Sequence, residues 1–80
     1  MIRVHNAEPG TFVWVAYGRG PKAVVIKRLD LRKNRTHLDY LMGRVRGIYY
    51  KVEILENWEY WTKGRIIILR AMTLSSVKHS

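Results

Sequence analysis

Apolar positions along this chain recur with a period of two, in short runs separated by turn residues. The clearest run is 48–55, where Ile48, Tyr50, Val52 and Ile54 alternate with Tyr49, Lys51, Glu53 and Leu55. Successive side chains of a strand point to opposite faces, so this spacing predicts a strand with one face in the core. Thr11-Phe12-Val13-Trp14-Val15-Ala16-Tyr17 is denser in β-branched and aromatic residues and follows Pro9-Gly10, which predicts a strand buried on both faces or nearly so. Gly18-Arg19-Gly20-Pro21 then turns the chain, because glycine accepts positive φ and proline fixes the exit. The return strand is Lys22 to Leu29, with Val24, Ile26 and Arg28 on one face and Ala23, Val25, Lys27 and Leu29 on the other. Trp14 and Tyr50 are expected in the core.

Residues 30–47 lose the alternation. Thr36-His37-Leu38-Asp39 resembles a weak capping box, and Leu38, Leu41 and Met42 follow at helical spacing before Gly43. A long basic loop carrying one short helical turn is expected there. Asn57 to Gly64 reads as a wide hairpin connection, after which Arg65 to Ala71 re-enters the sheet. With a short early strand near Ile2-Arg3-Val4-His5, the chain has about five antiparallel strands. A flat sheet of that size leaves one apolar face wet, and closure into a small barrel removes the problem. The fold expected is mainly β: a single barrel domain over 1–74 and a flexible polar tail over 75–80.

Eighty residues support one core and no more. With 48% apolar residues the chain can offset the entropy of ordering itself, so it is not a disordered polycation. It has no cysteine, which excludes disulfides, thiolate metal sites and thiol nucleophiles. Met1 to His5 lacks a secretory apolar stretch, and no apolar run nears the roughly 18 residues a membrane span requires. An intracellular protein of the cytoplasm or nucleoid is expected, neither secreted nor bound to a membrane. Asn34-Arg35-Thr36 matches the glycosylation tripeptide, which in that setting is a chance occurrence in a basic loop.

Charge changes the picture most. The net charge is +9, and it is unevenly spread. Between Arg19 and Arg46 nine basic residues face only Asp30 and Asp39, a local balance of +7. Like charges gathered on one surface repel, so such a cluster is most easily understood if an anionic partner neutralises it. Arginine outnumbers lysine in the cluster, and its planar fork suits bidentate phosphate contacts.

Pro9-Gly10-Thr11-Phe12-Val13-Trp14-Val15, followed by Lys22-Ala23-Val24-Val25-Ile26, resembles the opening of SH3-like small barrels of the Tudor, PWWP and KOW type. Tyr49-Tyr50-Lys51-Val52-Glu53-Ile54 is similar to a later strand of the same barrels. The likeness covers roughly Gly10 to Ala71. The Pro-Trp-Trp-Pro signature is absent, and the basic segment between the second and third strands is longer than a typical Tudor connection. The resemblance implies an SH3-like barrel that binds nucleic acid, ribosomal components or modified peptides, or that serves as a structural module.

The function expected is therefore non-catalytic binding of nucleic acid, DNA or RNA, with weak sequence selectivity. Arg32, Lys33, Arg35, Arg44 and Arg46 would contact phosphates, flanked by Arg19, Lys27 and Arg28. Tyr40, Trp58, Tyr60 and Trp61 are candidates for base stacking or partner contact. Trp58 and Trp61, three residues apart, cannot both face one side by strand alternation, so at least one is expected to be exposed. The alternative is a structural or protein-interaction module, such as a small subunit of a ribonucleoprotein or virion-like assembly or a homo-oligomer, using Trp58, Trp61, Ile67 and Leu69. An aromatic cage for a methylated cation fits a protein at +9 poorly. His5, His37 and His79 are scattered and no nucleophile accompanies them, so no catalytic residue, metal site or cofactor is expected.

Overall fold

The alternating run 48–55 becomes a central strand, paired on both sides. The computed structural model describes residues 6–32, 37, 41, 43 and 46–78. Four strands follow in chain order: β1 (Phe12–Trp14), β2 (Lys22–Asp30), β3 (Ile48–Ile54) and β4 (Ile66–Arg70). Each pairs antiparallel with the next, giving one open sheet in the order β1-β2-β3-β4. Single 3-10 turns, Ala16–Gly18 and Ala71–Thr73, follow β1 and β4. The expected early strand near Ile2 to His5 lies outside the described residues. So does most of the expected helical turn, although His37 and Leu41 within it are helical.

Residues directly opposite one another on paired strands share a face, so the register sorts the side chains. Val13, Ala23, Val25, Tyr50, Val52 and Ile54 line the inner face, none more than 1% exposed. Burying each Val or Ile contributes about 1.5–3 kcal/mol. Val15 and Leu74 complete this core, and Ile67 and Leu69 of β4 pack against it. The Tyr50 hydroxyl reaches the core's far side, where it accepts the Ala7 amide N–H at 3.1 Å. That partner is what allows a phenol to be fully buried.

The two faces of β2 are not those the alternation predicts. The pairing runs Val25↔Val52 and then Lys27↔Lys51, so Ile26 is an extra residue at a β-bulge. A bulge reverses the parity of everything after it. Lys27 and Leu29 therefore leave the face of Ala23 and Val25, and Arg28 moves to it. Trp14 also departs from expectation. It pairs with Lys22 on the outer face and is half-buried rather than part of the core.

β1 is shorter than the apolar run that contains it. Ala16 and Tyr17 take φ of 51° and 59°, which bends the chain out of the sheet after Val15. The Val15 carbonyl accepts the amides of Gly18 (3.1 Å) and Gly20 (3.0 Å) across this turn. Gly20 approaches so closely that a Cβ there would lie 2.7 Å from Val15 Cγ2. At the other end, Ser75 departs from the expected frayed tail. It is fully buried, and it exchanges two backbone hydrogen bonds of 2.9 Å with Trp14. Among the described residues no helix is long and apolar enough to cross a membrane.

Candidate functional site

The outer face of the sheet carries most of the chemistry that the core does not use. Its rows, read across the strands, are Trp14 with Lys22, then Phe12, Val24, Glu53 and Ile66, then Lys27, Lys51 and Ile68, then Leu29, Tyr49 and Arg70. Phe12 and Ile66 are each 52% exposed. The Lys22 ammonium sits 4.2 Å from the Phe12 ring centroid and 5.8 Å from that of Trp14. Such a contact contributes about 0.5–1 kcal/mol at an exposed site and holds the cation over the rings. The Lys22 backbone is fixed too, its N–H donating to Glu56 Oε2 at 3.0 Å.

Lys27 and Lys51 stand directly opposite each other, both exposed, and no carboxylate pairs with either among the described residues. Like charges in that arrangement destabilise a sheet. Further basic groups collect where β2 ends and β3 begins. The Leu31 amide donates to the Gly47 carbonyl at 2.8 Å, so Arg32 and Arg46 flank one closed base of the segment between the strands. The Arg70 guanidinium lies by the same Gly47, 3.7 Å from where a Cβ would be. Arg32 has a partner. Its guanidinium and backbone N–H both donate to Asp30, with an ion-pair distance of 2.8 Å. These hydrogen bonds hold the Asp30 carboxyl well below the usual carboxylate range and raise the Arg32 guanidinium.

Of the eight basic residues expected to contact phosphate, Arg32 and Arg46 flank this end of the sheet and Lys27 lies along β2 toward it, but Arg32, bound to Asp30, is on the face opposite Lys27. Arg28 points to the opposite face from Lys27. Arg19, in the turn before Lys22, lies at the far end of β2, roughly 25 Å away at about 3.3 Å per residue. Lys33, Arg35 and Arg44 lie outside the described residues, as does Tyr40. The residues not anticipated are Phe12, Trp14, Lys22, Lys51 and Arg70. The sequence marks Lys51 as outward-facing, but only the pairing register places it beside Lys27.

Trp58 and Trp61 form a second feature. They bridge each other with two backbone hydrogen bonds, closing a tight turn in which Glu59 takes a φ of 46°. Residues paired in this way share a side, so strand alternation does not describe the turn, but the expected exposure of at least one of the two is met by Trp58. Trp61 packs on the core, while Trp58 is 39% and Tyr60 88% exposed. Asn57 braces the turn by accepting the Lys63 amide at 2.9 Å. Ile67 and Leu69, expected beside the tryptophans in a protein contact, are instead turned to the core. Among the described residues no group of three or more His, Asp or Glu is placed to hold a metal ion. Compared with protein-family models, with curated proteins and with solved structures, the chain matches none.

Proposed function

We propose that the protein is a non-catalytic nucleic-acid-binding module, contacting phosphates through the basic end of its outer sheet face. The observation that carries this reading is the Lys27–Lys51 pair. Two unneutralised cations fixed across adjacent strands cost stability in the free protein and become favourable once an anion lies over them. Arg70 extends the same surface, while Arg32, held to Asp30, stands on the opposite face, and Lys33, Arg35 and Arg44 belong to the segment that starts and ends at that end of the sheet. Recognition is mainly electrostatic and weakly selective for sequence.

A closed SH3-like barrel of five strands is the architecture we propose around this surface. The 3-10 turn after β4 leads the chain back to Ser75, whose bridge to Trp14 occupies the free edge of β1, as a fifth strand would. The test of function is a salt titration of binding to duplex DNA, single-stranded DNA and structured RNA. The logarithm of the affinity should fall linearly with the logarithm of salt, by about 0.9 per phosphate neutralised on duplex DNA. Affinity that holds constant from low to moderate salt rejects the reading.

The braced Trp58–Trp61 turn favours a second reading, a protein-interaction or structural module anchored by Trp58 and Tyr60. A stable oligomer in solution that ignores all three nucleic acids would select it.

A further inference from the structure

The outer face holds two kinds of group that a duplex backbone does not need together. Phosphates of duplex DNA need cations and hydrogen-bond donors, not exposed aromatic rings. Phe12 and Trp14 lie on the same face of β1, two residues and about 7 Å apart, with Phe12 more than half exposed. Apolar ring surface in contact with water at the sheet's edge is useful to a ligand that brings its own exposed aromatic faces. From the strand spacing, the Phe12 ring stands on the order of 10 Å from the lysine pair. One or two nucleotides can bridge that distance.

We propose that the ligand class is single-stranded nucleic acid, with a base stacked on Phe12 beside Trp14 and the adjoining phosphates on Lys22, Lys27 and Lys51. The assignment rests on the nucleic-acid reading and narrows it. Charge complementarity selects the occupant. A second copy of the chain would bring another +9 onto a face already rich in lysine, whereas a single strand offers both the negative charge and the unpaired rings. Lys22 links the two parts: its ammonium lies over the rings in the free protein, pairs with no carboxylate among the described residues, and on stacking of the base moves off the Phe12 ring onto the adjoining phosphate.

The experiment compares three probes at one salt concentration: a labelled oligothymidine, a DNA duplex of equal length, and inorganic polyphosphate, a polyanion without bases. Phe12→Leu should weaken oligothymidine binding about fivefold to a hundredfold, the range for losing one base–aromatic stack. Phe12→Tyr should restore it, and neither variant should alter duplex or polyphosphate binding. If Phe12→Leu leaves oligothymidine unaffected, or weakens all three probes equally, the stacking site is wrong while the electrostatic reading stands. If the unaltered protein binds none of the probes, both fail. A dimer of the unaltered protein that Phe12→Leu dissociates would instead assign the face to a second copy.

Discussion

The two faces of one sheet are built to different specifications. The inner face joins Val13, Ala23, Val25, Tyr50, Val52 and Ile54 into a surface with essentially no water contact, and its one buried hydroxyl has a partner in Ala7. The outer face, on the same strands, mixes half-buried aliphatic and aromatic residues with lysines set opposite each other. Packing determines the first; stability alone would not choose the second. Where a fold this small accepts a repulsive pair and leaves a phenylalanine half wet, the surplus cost is what the proposed nucleic-acid ligand would offset.

Truncation should break this contrast most visibly. Ile54→Ala should cost about 2–5 kcal/mol of folding stability, because its cavity lies inside the core. Ile66→Ala, one strand away on the outer face, should cost less than about 1 kcal/mol. Denaturant midpoints of the two variants test the difference, and equal losses would mean that the outer face is covered. Gly20→Ala comes next, at about 1–3 kcal/mol, since its Cβ would drive into buried Val15 and overpack the end of the core.

A smaller effect has the opposite sign. Lys27→Glu should stabilise the free protein by about 0.2–1 kcal/mol, by turning the clash with Lys51 into an attraction, and the same variant should bind nucleic acid more weakly. Stability and affinity moving together would show that the pair has no binding role. The smallest effect concerns pH. Asp30 has a folded pKa below its unfolded value, so its contribution is fully present above the ordinary carboxylate pKa and is lost as pH falls through the lower, folded one. An NMR titration should find Asp30 still ionised at a pH below the ordinary carboxylate range. In the Arg32→Ala variant its midpoint should rise toward that range, because the hydrogen bonds that lower it are gone.

The inner face was largely legible in the sequence, because Tyr50, Val52 and Ile54 alternate without a break and the ladder simply follows them. The outer face was not. Its composition depends on the bulge at Ile26, which nothing in the uniform apolar run Val24-Val25-Ile26 announces, and which alone brings Lys27 across from Lys51. Positive φ at Ala16 and Glu59, without the glycine or asparagine that usually marks such positions, likewise hid the early end of β1 and the shared side of Trp58 and Trp61. Counting charges located the basic region but not its face, since Lys27 and Arg28 are neighbours in sequence that point opposite ways.

The hydrogen bond from Leu31 to Gly47 is a fixed collar at the base of the connection between β2 and β3. Because the collar is tied by backbone atoms, side chains within the segment can be exchanged without loosening it. Its length can change cheaply as well, since the entropy of loop closure grows slowly, by about 0.6 kcal/mol per doubling of length. For the nucleic-acid module we propose, that interval is therefore the natural place to graft new sequence while the strand pairing on either side is kept.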